Sequence, residues 1–232
     1  MGAHASLFQP LDIKGVRIRN RFLSTSHSPG YATGGVITER YIHYQAEKAK
    51  GGVGLTQFGG ATAVSPENSC HYGQIDGSTD AVVPDYRRMA AAIHAHGAKC
   101  TVQLTHGGRR ERWDIHNWLP TFAPTRLREI VHGAFPAVIE DHDVRRIREN
   151  FAAAARRARD GDLDGVEISC QAGTLVEQFW SPAMNKRTDG YGGSLANRMR
   201  FGLEVLETVR RAVGDDYVVG IRMPGDEMLK GG

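Results

Sequence analysis

Short apolar segments at 21–26, 53–58, 99–105, 165–169 and 217–223 take turns with longer stretches in which apolar residues recur every three or four positions. That alternation admits few folds. An extended segment, a helix and a second extended segment make a βαβ unit, and several in succession make an α/β protein with a parallel sheet. The helical stretches carry their own boundary signals. Thr38 caps a helix predicted through Lys50, where Gly51-Gly52 stop it, and Pro84 opens one that puts Tyr86, Met89 and Ile93 on one face and ends at Gly97. Asp143 to Arg159 aligns Val144, Ile147, Phe151, Ala154 and Ala158, and Ser194 caps a helix with Leu195, Met199, Gly202, Leu206, Val209 and Val213 on its buried face. Ahead of them, residues 7–20 read as a hairpin turning at Lys14-Gly15.

One βα unit here takes roughly 50 residues, so eight units need nearly 400, and a chain of 232 holds about five. The predicted fold class is α/β: a (β/α)8 TIM barrel truncated after about strand five, with residues 1–232 as the N-terminal part of a single barrel domain. The rival is an open doubly wound sheet, but no Gly-x-Gly-x-x-Gly follows the first strand. GGVGLTQFGG is glycine-rich without that spacing. A composition of 41% hydrophobic and 24% charged residues excludes disorder, and the apolar runs fall far short of the ~18 residues of a spanning helix. The net charge of +3 comes from scattered arginines, which argues against nucleic acid. Cys70, Cys100 and Cys170 form no Cys-x-x-Cys pair, so no disulfide framework or complete metal site is encoded, and a cytoplasmic location is expected. His94 and His96, two apart on a helix, point to different faces. The irregular stretch from His106 to His142, with Trp113, Trp118, Phe122 and Phe135, has the length of a functional loop.

The segment FWSPAMNKRTDGYGGSLANRMRF (Phe179 to Phe201) resembles the signature of the Old Yellow Enzyme family of FMN-dependent barrel oxidoreductases. NRFLSTSH, VQLTHGGRR, DGVEIS and VGIRM match in the family's order and cover nearly the whole chain. STSHSPGY, THGGRR with WLP, and QFWSP look most like the branch of trimethylamine dehydrogenase and the N-methylated amino acid demethylases. The resemblance implies FMN bound by Thr25, Ser26, His27, Gly59, Gly60, Gln103 and Arg222, with His27 and Arg222 in catalysis. It implies a small-molecule substrate met by Tyr31, Arg109, Trp113, Trp118, Ser169, Ala172, Thr174 and Trp180. Ser28 stands where some members attach FMN through cysteine, so non-covalent flavin is expected. Longer branch members suggest NAD(P)H and a 4Fe-4S cluster in a C-terminal part, and a homo-oligomer or an electron-transfer partner.

The residues carry readings of their own. The Gln103 amide both donates and accepts, which suits the pyrimidine edge of a flavin. Arg222 lies in an apolar strand and needs an anionic partner, either a reduced flavin or a strand-end carboxylate. Gly59 and Gly60 end strand two without side chains, as a turn or as a place where backbone approaches a planar ring. Family members that reduce alkenes hold a carbonyl with a His-x-x-His or His-x-x-Asn pair and a nearby Tyr. Here those positions are Ser169, Ala172 and Thr174: Ala172 cannot donate a hydrogen bond, and a threonine hydroxyl is too weak an acid to replace the Tyr. Amine oxidation needs no such clamp, and the aromatic residues suit a cationic substrate. The expected activity is therefore oxidative demethylation of an N-methylated amine or amino acid. An NAD(P)H-dependent ene or dienoyl reductase and a non-catalytic half-barrel are the alternatives.

Overall fold

A computed structural model describes residues 4–68, 70, 72–112, 114 and 118–228. Strands β1 (Leu11–Ile13) and β2 (Val16–Ile18) form the expected hairpin. Lys14 and Gly15 have φ of 48° and 79°, as a two-residue turn between twisted strands requires. β3 (Leu23–Ser24) precedes a small hairpin of β4 (Ala32–Thr33) and β5 (Val36–Ile37). Helix α1 (Glu39–Lys50) starts at Thr38, whose hydroxyl accepts the Tyr41 amide. β6 (Leu55–Ala63), α2 (Val83–His94) and β7 (Lys99–Thr105) follow. Next come a parallel pair, β8 (Phe122–Ala123) and β9 (Ala137–Val138), and the long helix α3 (Asp141–Asp160). β10 (Gly165–Ser169), α4 (Leu175–Trp180), α5 (Leu195–Val213) and β11 (Val218–Arg222) complete the order.

β3, β6, β7, β10 and β11 form one parallel sheet in which each strand lies beside its predecessor in the chain. A doubly wound sheet reverses its strand order part-way; this one never does, and it is the curled wall of a barrel. Alternation along the strands separates two faces. Phe58, Cys100, Val102, Leu104, Val166 and Ile168 face the helices and pack with Tyr41, Tyr86, Met89, Ile147, Phe151 and Phe201. Gln57, Thr101, Gln103, Thr105, Glu167 and Ser169 have the opposite parity, and Arg222, in register with Ser169, shares their face, so the inner wall is polar. At the sheet's two edges, Leu23 in β3 is 48% exposed and Ile221 in β11 41% exposed.

Several boundaries differ from expectation. The first barrel strand is only Leu23–Ser24, because pairing with β6 holds just two residues. β6 does not end at Phe58: it runs through Gly59 and Gly60 to Ala63, with a register shift against β7 between Phe58 and Thr62. Gly59 and Ala61, with φ of 81° and 75°, make the bulge that absorbs the shift. Helix α3 begins two residues early because Glu140 and Asp143 form a capping box. The buried stripe of α5 is rotated, with Phe201 and Val205 in the core and Leu195 63% exposed. No described helix is long and apolar enough to cross a membrane.

Candidate active site

At the C-terminal ends of the barrel strands lies a cleft of about 240 Å³. Its walls come from the loop after β3 (Ser26, His27, Ser28), the β6 bulge (Gly60, Ala61), β7 and its loop (Gln103, Thr105, Arg110, Glu111), the loop after β10 (Ser169, Gln171, Ala172, Thr174), and Arg222. This is the end of a parallel barrel where ligands bind. A larger, shallower groove of about 710 Å³, between residues 124–126 and 186–189, contains none of these strand-end residues.

Glu167 is the hub beneath the cleft. Its Oε1 accepts from Gln103 Nε2 at 2.8 Å and Ser26 Oγ at 3.4 Å and pairs with Arg222 Nε at 3.2 Å, while its Oε2 accepts from Gln57 Nε2 at 3.0 Å. Arg222 also donates to Ser26 O at 3.1 Å and to Gln57 Oε1 at 3.4 Å. The carboxylate partner anticipated for Arg222 is thus present, and it is in the inner wall. Gln103 Oε1 accepts the Ala61 amide at 3.2 Å.

The cleft rests on a second polar cluster. Buried His106 accepts the Gly108 N–H at Nδ1, at 3.0 Å, so its Nε2 carries the proton and donates to Glu67 at 3.1 Å. Arg146 of α3 donates to the same carboxylate at 2.7 Å. Burial pushes Glu67 up, but the His106 hydrogen bond and the Arg146 guanidinium outweigh it and bring its pKa down to about 2. The 106–111 loop is anchored here, and it carries Arg110 and Glu111 into the cleft. Glu111 Oε1 accepts from Asn68 Nδ2 at 2.8 Å and the Gly107 amide at 3.0 Å.

The sequence-predicted residues distribute unevenly. Ser26, His27, Gly60, Gln103, Ser169, Ala172, Thr174 and Arg222 line the cleft. His27 Nε2 lies 2.8 Å from Tyr44 Oη. Thr174 donates its hydroxyl to Ser169 O at 3.0 Å. Thr25 is exposed beside the cleft and is not one of its lining residues. The two glycines have a packing reason: a Cβ on Gly59 would lie 2.3 Å from Thr62 Oγ1, and one on Gly60 2.3 Å from the His27 carbonyl carbon.

Among the described residues, Tyr31, Trp118 and Trp180 do not converge on the cleft. Tyr31 sits edge-on to Tyr41 and Tyr44 under the Arg40 guanidinium. Trp180 packs between helices, where a Cβ on Gly202 of α5 would lie 2.7 Å from its indole nitrogen. Trp118 is 70% exposed in a separate hollow with Phe135. Trp113 lies outside the described residues. The aromatic side chain in the cleft wall is Tyr72. The neighbouring Arg110, rather than Arg109, reaches the cleft, with its guanidinium on the Ala172 carbonyl, while Arg109 offers its backbone amide to Gln178 at 3.3 Å. Sequence reasoning missed Glu167, Glu111 and Tyr72. A charged residue in the apolar run GVEIS was the available signal for Glu167, by the argument that singled out Arg222.

A cleft floored by a primary amide and a guanidinium fits the donor and acceptor edge of an FMN ring, which becomes negative on reduction. A model of the NADH:flavin oxidoreductase / NADH oxidase family matches residues 6–232. The chain belongs to this FMN-dependent family. It is 48% identical over 227 residues to an N,N-dimethylglycine/sarcosine dehydrogenase of Chromohalobacter salexigens, covering 97% of this chain and 33% of that protein. It is 47% identical over 216 residues to the multifunctional alkene reductase/demethylase OYE of Caballeronia cordobensis, covering 93% and 32%. Among solved structures, morphinone reductase in complex with tetrahydroNAD superposes with a TM-score of 0.85 at 28% identity, covering 94% of this chain and 63% of that one. The chain thus spans about a third of the length of these curated relatives.

Proposed function

We propose that the protein containing this chain oxidises an N-methylated amino acid, releasing formaldehyde and the demethylated product, and that residues 1–232 form part of its FMN-binding barrel domain. One observation carries the reading: the wall after β10 presents Ser169, Ala172 and Thr174, of which Ala172 has no donor and Thr174 spends its hydroxyl on Ser169 O. The His-x-x-His or His-x-x-Asn pair that would hold a substrate carbonyl is absent from these positions.

FMN bound in the cleft supplies the two-electron acceptor. Gln103 and Arg222 would hold its polar edge, and His27, positioned by Tyr44, would be a further contact from the same lining. Other lining residues suit a zwitterion. Tyr72 and Glu111 offer an aromatic face and a carboxylate to a methylated ammonium group, and Arg110 offers a guanidinium to a carboxylate. Once the ammonium proton has passed to the Glu111 carboxylate or to water, the substrate reacts as the free amine. Hydride leaves its N-methyl carbon as the nitrogen lone pair forms the C=N bond, and water then adds to the iminium carbon, which departs as formaldehyde.

The full-length enzyme, mixed anaerobically with dimethylglycine, sarcosine or N-methylproline, should lose its flavin absorbance. Rapid turnover of 2-cyclohexenone with NADPH and no bleaching by any methylated amine would overturn the assignment. Alkene reduction is the second reading, favoured by the relative whose name carries both activities.

A further inference from the structure

We propose that Glu167 is a positioning residue that sets both the orientation of the Gln103 amide and the effective charge of Arg222, and through them the redox potential of the bound flavin. The inference rests on FMN occupying this cleft.

The argument starts from what a carboxylate can do. An ionised carboxylate accepts hydrogen bonds and donates none, and it has about four lone-pair directions. Glu167 meets four donor groups: Gln103 Nε2, Ser26 Oγ, Gln57 Nε2 and Arg222 Nε. They come from β7, the loop after β3, β6 and β11, so the side chain ties together all the neighbouring strands of the inner wall.

For Gln103, the consequence is directional. One of its two Nε2 hydrogens is committed to Glu167 at 2.8 Å, and Oε1 accepts the Ala61 amide, so the amide is held in one of its two flip states. An amide free to flip would offer its oxygen and nitrogen in either order. One held by an acceptor-only partner presents its oxygen and its second N–H in a fixed order, to the ring N–H and a neighbouring carbonyl of a flavin's pyrimidine edge. For Arg222, the consequence is electrostatic. Its Nε faces Glu167 at 3.2 Å, so a ligand in the cleft meets a paired cation rather than a bare one. An isolated positive charge at that position would stabilise the anionic reduced flavin more than the pair does.

The test uses the full-length holoenzyme carrying E167Q. It reads the flavin midpoint potential by spectroelectrochemistry and the FMN dissociation constant of the deflavinated protein by fluorescence. The potential should rise by about 30 mV or more, which corresponds to a tenfold shift in favour of reduced flavin for a two-electron couple. FMN binding should weaken about tenfold. R222M should move the potential in the opposite direction, and E167Q/R222M should return towards the parent value. A merely structural Glu167 predicts a lower melting temperature without this pair of opposed shifts, and an unchanged or lowered potential in folded E167Q overturns the proposal. Should E167Q yield no folded flavoprotein, E167D serves. It keeps the charge but withdraws it from Gln103 and Arg222, so a weaker FMN affinity with a smaller upward shift supports the proposal, and unchanged values of both overturn it. A parent enzyme that binds no FMN would instead sink the flavin reading itself, a separate outcome from a holoenzyme indifferent to E167Q.

Discussion

Two carboxylates three residues apart do different work: Asp164, just before β10, meets helix α2, and Glu167, within β10, belongs to the inner wall. Asp164 is closed in by its partners: His94 Nε2 at 2.7 Å, the Cys100 amide at 2.9 Å and Lys99 Nζ at 2.9 Å. Its partners do not line the cleft. Glu167 is also surrounded by donors, but Gln103, Ser26 and Arg222 all line it. At one end a buried acid completes a joint between helix and strand. At the other it meets side chains that line the cleft, at the face of a barrel where chemistry rather than stability is expected.

The Asp164 joint has the donor types of a metal site. His94, Cys100 and Asp164 bring their ligand atoms within 4.8 Å of one another. The grouping escaped a sequence reading that compared His94 only with His96. Its chemistry favours a hydrogen-bonded hub. The Lys99 ammonium opposes a cation, and burial pushes the Cys100 thiol well above its ordinary pKa, against the thiolate a metal needs.

The sharpest way to break the comparison is at Arg222. Arg222→Met leaves Glu167 in the inner wall without its cation but with three other donors, and because Arg222 is part-exposed the loss of this charged contact should cost about 1–3 kcal/mol. In the full-length enzyme it should also lower the flavin midpoint potential and slow reduction in stopped flow. Loss of stability with an unaltered potential would reduce the cleft-end carboxylate to the same structural role as Asp164.

Asp164→Asn probes the other end. Converting an ionic acceptor into a neutral one should cost about 1–3 kcal/mol in urea melts while leaving the potential and FMN affinity at parent values. A changed potential would erase the division between the ends.

Acid titration sharpens it further. Asp164 and Glu67 both have depressed pKa values, so each contributes stability that is fully present above the unfolded carboxylate value and is lost as pH falls through the folded one. For Glu67 the window runs from about 4.5 down to about 2. Glu67→Gln should flatten the pH dependence of the melting temperature across that window, and an unaltered slope would show that His106 and Arg146 do not depress this group.

The smallest effects belong outside the cleft and at its rim. Trp118→Ala should change stability by less than about 0.5 kcal/mol and leave the dimethylglycine KM near the parent value, because the side chain is exposed in a different hollow. Arg110→Gln should raise KM for dimethylglycine but not for a methylated amine lacking a carboxylate. Equal effects on the two substrates would remove Arg110 from carboxylate recognition.

Local signals made much of the fold legible. Thr38 and Ser194 cap helices where their side chains accept amides three residues on, and Lys14-Gly15 turns the hairpin. Each depends on neighbours a few positions away, so a short window contains all the physics. The rotated stripe of α5 was not legible in the same way, because Leu195 and Phe201 compete for a face that other elements choose.

The strand and helix alternation, the barrel motifs and the missing carbonyl clamp at Ser169, Ala172 and Thr174 were determined by the sequence itself, since each is a matter of residue type and order. The tertiary structure alone decided which polar groups meet. Glu167 joins Gln103 across 64 positions and Gln57 across 110, and Arg222 reaches Ser26 across 196. The same curl of the sheet decided that Tyr31 and Trp180 would pack elsewhere and that Tyr72, Arg110 and Glu111 would form the wall. Strand periodicity fixes which face a side chain takes, but neighbours on that face depend on register and curvature, which are set by the whole sheet.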